Sequence, residues 1–211
     1  MTSAERAAAG EDIVRTARSL FSRGLTHGST GNLSVRIPQG ILVTPTGSSL
    51  GTVTVGRLSL VDTGGRHLDG PPPSKEAVLH AAVLRARPTA RAVVHTHSTH
   101  AAAVSCLAGL DPENVLPPLT AYFAMRIGRL PLLPYFAPGD QRLAEAAGAA
   151  ARTGHAALLR NHGPLVAGSS LATAMDALEE LEETARLFLL LRGLPTRPLT
   201  EAEQADLTPP A

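Results

Sequence analysis

The sequence predicts an α/β domain with helices covering a sheet, because short apolar runs of strand type alternate with segments of helical periodicity along its length. Its 211 residues suit one domain, and an apolar fraction of 44% is enough for a sizeable core. Only 3% of residues are aromatic and Trp is absent, so Leu, Val and Ala must build that core.

A first helix is expected from about Ser3 to Arg23, with Ile13, Ala17, Leu20 and Phe21 as its apolar stripe and Gly24 ending it. The loop Thr26-His27-Gly28-Ser29-Thr30-Gly31-Asn32 leads into strands at Leu33 to Ile37 and Ile41 to Thr44, paired as a hairpin across Pro38-Gln39-Gly40. The loop Pro45-Thr46-Gly47-Ser48-Ser49 follows, and two further short strands flank Asp62-Thr63-Gly64-Gly65. Pro71-Pro72-Pro73 is a stiff approach to a helix with Ser74 as N-cap, running to about Arg87. Ala92-Val93-Val94 reads as a short buried strand, and Ser98 or Thr99 caps the alanine-rich helix after it.

The Pro-interrupted stretch from Pro117 to Pro138 is expected to hold one or two short strands. Pro138-Gly139-Asp140 opens a helix ending near Thr153-Gly154. Ala156 to Leu159 is a strand, Asn161-His162-Gly163-Pro164 a sharp turn, and Leu165-Val166 a brief strand. Ser169 or Ser170 caps a long helix to about Arg192, whose apolar face is Leu171, Ala174, Met175, Leu178, Leu181, Ala185 and Phe188. Its Glu179, Glu180, Glu182 and Glu183 read as solvent-facing or intersubunit charges. Residues 194–211 read as a loosely packed, Pro-rich tail of one domain spanning 1–211.

Nineteen basic side chains against 18 acidic give a formal charge of +1, which excludes the broad basic footprint of a general nucleic-acid binder but allows a local cationic pocket for phosphate. The single cysteine, Cys106, cannot form an internal disulfide, fits a reducing, cytoplasmic setting, and reads as a small buried hydrophobe. The polar start lacks the apolar run of a signal peptide, and Leu187 to Leu191 is far too short to span a bilayer, so no membrane partner is expected. Eighteen of the 19 basic residues are Arg; Lys75 is the one lysine. A lone lysine can serve a task that a guanidinium does badly, or can stand there by chance.

Of eight histidines, three stand out by context. His95-Thr96-His97 follows a strand, so its two imidazoles leave the same face and can reach one ion. His162, in a turn after another strand, could close the set, and three imidazoles with an open position suit a catalytic zinc ion. Taken bare, His95 and His97 also fit surface or hydrogen-bonding roles. His27 and His100 lie near enough to reach a ligand, and His100 could instead support the site; His67, His80 and His155 read as ordinary surface or helix residues. The segments Gly28 to Asn32, Thr44 to Ser49 and Ser74 are rich in glycine and hydroxyls, which expose donors able to hold an anion. Each alone also reads as a plain turn.

In order along the chain, Gly28-Ser29-Thr30-Gly31-Asn32-Leu33-Ser34, Thr44-Pro45-Thr46-Gly47, Pro73-Ser74-Lys75-Glu76, Val94-His95-Thr96-His97-Ser98 and Asn161-His162-Gly163 resemble the class II aldolase/adducin-like family. The similarity covers roughly residues 5 to 193. The resemblance implies a three-layer α/β/α fold with a central mixed, largely antiparallel sheet, commonly assembled as a homotetramer with sites near subunit contacts. It implies one Zn2+ per subunit on His95, His97 and His162, an acid/base role for Glu76, and substrate phosphate against Gly31, Asn32, Thr46, Gly47 and Ser74. The aldolases of the family read Ser-Ser-Glu where this chain reads Ser74-Lys75-Glu76. With Ala124-Met125-Arg126 and Glu179-Glu180-Leu181-Glu182-Glu183-Thr184, the match is closest to the family's decarboxylases of 3-oxo-tetronate 4-phosphates.

The resemblance thus implies metal-dependent loss of CO2 from a small phosphorylated sugar acid, giving dihydroxyacetone phosphate through a zinc-stabilised enediolate. Glu76 would donate the proton at C2 or control protons on the chelated oxygens. Lys75 would orient the departing carboxylate or pair with phosphate, and Tyr122 and His100 would be further polar contacts. The alternatives are a sugar-phosphate aldolase or pentulose-phosphate 4-epimerase and, in another class, a non-catalytic adducin-like interaction module. The module has no reason to keep His95, His97, His162 and Glu76 together.

Overall fold

The computed structural model describes residues 3–207. Eight strands form one sheet in the order β4-β3-β2-β1-β5-β8-β7-β6. In chain order they are β1 (Asn32–Ile37), β2 (Gly40–Val43), β3 (Ser59–Val61), β4 (His67–Asp69), β5 (Ala92–His95), β6 (Leu132–Leu133), β7 (Ala156–Leu159) and β8 (Gly163–Gly168). Neighbours are antiparallel except for the β6/β7 pair, which is parallel, so the sheet is mixed and largely antiparallel. The helices are α1 (Ser3–Ser22), α2 (Ala77–Ala86), α3 (Thr99–Ser105), α4 (Ala121–Arg126), α5 (Gln141–Ala151), α6 (Leu171–Leu190) and α7 (Glu201–Ala205).

Side-chain alternation along the strands explains the layers. Leu33, Leu42, Val94, Leu158 and Val166 bury one face against α1, α3, α4 and α6, through Leu20, Val104, Phe123 and Leu178 among others. Ile41, Val43, Val93, Leu159 and Leu165 bury the other face against α2 and α5. Each fully buried Leu or Val contributes about 1.5–3 kcal/mol relative to exposure. The alanine-rich faces of α2 and α5 let those helices lie close: a Cβ placed on Gly148 would sit 3.5 Å from the Cβ of Ala82. This is the expected three-layer α/β/α arrangement. No helix among the described residues is long and apolar enough to cross a membrane.

Several local expectations are corrected. Helix α2 begins at Ala77, so Ser74 is not its N-cap; Ser74 closes the preceding turn, its hydroxyl accepting from Glu76 N at 3.2 Å and its carbonyl from Ala77 N at 3.0 Å. The Pro117–Pro138 stretch contains α4 as well as β6, because Thr120 caps a helical turn by accepting from Phe123 N. Cys106 is exposed, since α3 stops one residue before it. Phe21 is 41% exposed and sits outside the core stripe.

His80, expected to be an ordinary surface or helix residue, is in a helix but fully buried: α2 packs against both the sheet and α5, and the His80 ring bonds Ser34 Oγ at 2.8 Å. Glu182, expected to be a solvent-facing or intersubunit charge, is buried within the single chain. It lies four residues beyond Leu178 and so shares the inward stripe of α6. The tail carries α7, and Leu199 N donates to Pro118 O at 2.9 Å. Residues 208–211 of that tail lie outside the described residues.

Candidate metal centre

Strand β5 ends at His95, and the alternation that turns Val93 toward α2 and α5 turns His95 the same way. The neighbouring strands bring Asn32 opposite His95 on one side and Leu165 on the other. His97 follows two residues later. His162 arrives from the turn between β7 and β8, where Asn161 holds a positive φ of 54°.

Two glycines allow these segments to meet. A Cβ on Gly163 would lie 2.2 Å from Thr96 O, and one on Gly31 would lie 2.9 Å from His95 O. The His95-Thr96-His97 backbone is therefore flanked closely on both sides. Gly163→Ala should cost about 1–3 kcal/mol of stability through this clash, visible as a lower thermal midpoint; an unchanged midpoint would refute the close-approach argument.

The rings of His95, His97 and His162 stack edge to face, with centroids 5.1, 4.7 and 4.6 Å apart. One nitrogen of each lies within 4.8 Å of the others. The Nδ1–H of His95 donates to Pro164 O at 2.8 Å, which fixes its tautomer and leaves the Nε2 lone pair facing His162 Nε2 at 3.3 Å. Three converging imidazole nitrogens, one ring backed by a carbonyl, could hold a divalent metal ion.

Glu76 stands beside the cluster. Its Oε2 lies 3.4 Å from His95 Nε2 and its Oε1 3.5 Å from His162 Nε2. Asn32 Nδ2 donates to Oε2 at 2.7 Å, while Oε1 is buried with no hydrogen-bond partner. Burial alone would push this carboxyl up, but His95, the Asn32 amide and His162 together hold it down at about 2. Burial, reinforced by His95, lowers His162 to about 4; for His97, burial and both neighbouring imidazoles do the same.

His80 sits one helical turn beyond Glu76, and burial, with a smaller push from His95, lowers it to about 3. Its folded value lies below the unfolded one near 6.5, so the unfolded chain binds the extra proton first. Its contribution to stability is complete above pH 6.5 and is lost toward pH 3, at up to about 1.4 kcal/mol per pH unit. Urea unfolding of metal-free protein should show this slope in addition to those of His97 and His162, and His80→Gln should reduce it by up to about 1.4 kcal/mol per pH unit; identical slopes would contradict it.

The hydroxyl and glycine loops lie together. Ser74 N donates to Thr44 O at 3.2 Å and Thr46 N to Pro72 O at 3.1 Å, stitching the Thr46-Gly47 loop to the segment before Glu76. Thr46, Gly47 and Ser48 line a cleft of about 340 Å³ with Thr54 and the exposed Arg57, a cation the sequence reading left out. The structure thus gathers His95, His97, His162, Glu76 and Asn32, with Gly31 packed against the His95 backbone and Ser74 bonded to Glu76.

Lys75 is exposed, with its Cβ beside Gly139. Tyr122 is 61% exposed on α4 with Arg126 over its ring. His100 turns to Glu182, its Nδ1 2.8 Å from Oε1. A larger cleft, about 500 Å³, lies away from the imidazoles and is lined by Arg87, Arg126, His155 and Asp176. There Arg126 pairs with Asp176 and Arg87 donates to the carbonyls of Ala151 and Gly154, so its charges are already engaged.

The family described as Class II Aldolase and Adducin N-terminal domain matches residues 11–189. The chain belongs to that family. The 3-oxo-tetronate 4-phosphate decarboxylase of Haemophilus influenzae is 50% identical over 198 residues, covering 93% of this chain and 94% of its own. The L-fuculose phosphate aldolase of Escherichia coli O6:H1 is 34% identical, covering 88% and 84%. The crystal structure of YgbL from Klebsiella pneumoniae superposes with a TM-score of 0.93 at 46% identity, covering 96% of this chain and 99% of that one. This class II aldolase-family chain is therefore similar over most of its length to enzymes of two named reactions.

Proposed function

We propose that this chain decarboxylates a 3-oxo-tetronate 4-phosphate to dihydroxyacetone phosphate and CO2, with a zinc ion held by His95, His97 and His162. The observation that carries the reading is the convergence of three imidazole nitrogens within 4.8 Å beside a buried carboxylate, in a chain half identical to a relative of that name. The donor set fits the ion: three imidazoles of borderline softness, one locked in tautomer by Pro164 O, suit zinc and leave room for substrate oxygens. When bound, the ion supplies a Lewis acid that stabilises negative charge developing on oxygen.

The substrate carries its carboxylate at C1, a hydroxyl at C2, a ketone at C3 and phosphate on C4. The C1–C2 bond breaks, CO2 leaves, and the electron pair passes toward the C3 oxygen as an enediolate. One proton, ultimately from water, is then taken up at C2. Glu76 would manage it: Oε2 is engaged by Asn32 and Oε1 has no hydrogen-bond partner, so Oε1 would take a substrate hydroxyl proton and return a proton to carbon. Asn32 holds the carboxylate in that orientation.

The phosphate is assigned to Gly31, Thr46, Gly47 and Ser74, the last three on segments tied together ahead of Glu76. Lys75, one residue before Glu76 and exposed, would meet an anionic end of the substrate. Tyr122 and His100 have other engagements in the single chain, with Arg126 and Glu182 respectively.

The test supplies 3-oxo-tetronate 4-phosphates of both C2 configurations and follows CO2 and dihydroxyacetone phosphate. Stoichiometric release from one configuration is expected. No CO2 from either, with aldehyde released from a deoxyhexulose phosphate instead, would replace the reading with an aldolase.

A further inference from the structure

Helix α3 touches the metal centre at both of its ends. Its first turn follows directly from the His95-Thr96-His97 segment, with Ser98 at the N-cap. Ser98 Oγ is buried and makes no capping bond. The capping is done from another helix: Glu182 of α6 accepts from His100 N at 2.8 Å through Oε1 and from Ala101 N at 2.9 Å through Oε2. The same Oε1 meets His100 Nδ1 at 2.8 Å. A buried carboxylate on two free N–H groups of a helix start is a strong, directional anchor.

The other end of α3 is its last residue, Ser105, which is fully buried. Its hydroxyl accepts from His162 N at 3.2 Å and donates to Ala102 O at 2.7 Å. Its carbonyl accepts from Asn161 N at 3.2 Å. Two successive N–H groups of the His162 turn therefore reach this one residue, that of His162 being shared with Leu159 O at 3.1 Å. That turn is held in a conformation with Asn161 at positive φ, which costs energy for a residue other than glycine and persists where neighbours fix it. On its far side Gly163 packs against Thr96 and His97.

We propose that α3 sets the placement of His162 relative to His97, and that Ser105 is the positioning residue through which it does so. His97 enters the helix and His162 rests on its exit, with Glu182 fixing the helix against α6. The proposal rests on the reading that the three imidazoles hold a metal. It goes beyond that reading in assigning the geometry of the set to a serine and a glutamate that touch no ion. Losing the Ser105 hydroxyl leaves His162 N–H on Leu159 O alone, within its own turn, and removes its tie to α3, so the turn can shift against the helix, which weakens the set rather than only the fold.

The test uses the full chain and three variants, Ser105→Ala, Ser105→Thr and Ser59→Ala. Ser59 is an equally buried serine whose hydroxyl donates to Pro71 O, remote from the imidazoles, and serves as the control for loss of a buried hydroxyl. Zinc affinity is read by competition with a chelator, and ligand geometry by the d–d absorption of the cobalt-loaded protein at saturating metal. Ser105→Ala is expected to bind zinc on the order of tenfold more weakly and to shift the cobalt bands, Ser105→Thr to restore both, and Ser59→Ala to match wild type in both.

Wild-type affinity and spectrum in Ser105→Ala would overturn the proposal, and so would equal changes in Ser59→Ala. If Ser105→Ala does not fold, Glu182→Gln is measured in the same way. It is expected to shift the bands in the same direction, and an unshifted spectrum overturns the role of α3. A wild-type chain that binds neither zinc nor cobalt would instead remove the metal reading on which the proposal stands.

Discussion

Replacing Glu76 by Gln is expected to lower turnover by roughly 10²–10⁴-fold, the usual contribution of a positioned proton-transfer group, while the protein keeps its metal. The substitution preserves shape, so Asn32 Nδ2 can still donate to the side-chain oxygen. It removes the group proposed to take and return a proton, and it places an amide NH2 where Oε1 stands without a partner, 3.5 Å from His162 Nε2. Ser74→Ala provides the contrast. Its hydroxyl belongs to the proposed phosphate grip, so KM should rise with turnover little changed. Steady-state kinetics at saturating zinc separates the two, and a reversed pattern would withdraw both assignments.

His162→Ala is expected to cost a comparable amount of activity or more, and the metal as well. Removing one of three imidazoles leaves an incomplete donor set, and the ion's charge stabilisation is worth several kcal/mol, so activity should fall on the order of 10³-fold or further. His162 is 10% exposed at its side chain, so the substitution opens a small polar gap rather than a core cavity, and the fold should survive. Circular dichroism should match wild type while dialysed protein loses its zinc. A variant that retains stoichiometric zinc and near-normal turnover would show that His162 is not a ligand.

Much of this was legible in the sequence, for identifiable reasons. Two-residue alternation after a strand put His95 and His97 on one side, and punctuation by Gly, Pro and Ser located most elements. The mixed sheet in three layers followed from the resemblance rather than from periodicity, because strands of two to six residues carry too little pattern to reveal their partners.

What escaped was set by tertiary packing. Glu182 reads as one acid among four; its burial is visible only when it is placed on the stripe of Leu178 and Leu181, and its partners lie 81 and 82 residues away. His80 lies in a helix covered on both sides, so no polar face announces its burial. Ser105 carries no motif at all, since its importance lies in two backbone N–H groups from a turn more than fifty residues later. Helix α4 hid in a proline-rich stretch because Thr120 supplies a local cap that composition does not reveal.

Anomalous diffraction from crystals of the zinc-loaded protein, recorded on either side of the zinc edge, tests the heart of the account. One peak per chain is predicted, bonded to nitrogens of His95, His97 and His162 at about 2.0–2.1 Å. No peak there, or zinc bound elsewhere while these three imidazoles stay empty, would contradict it.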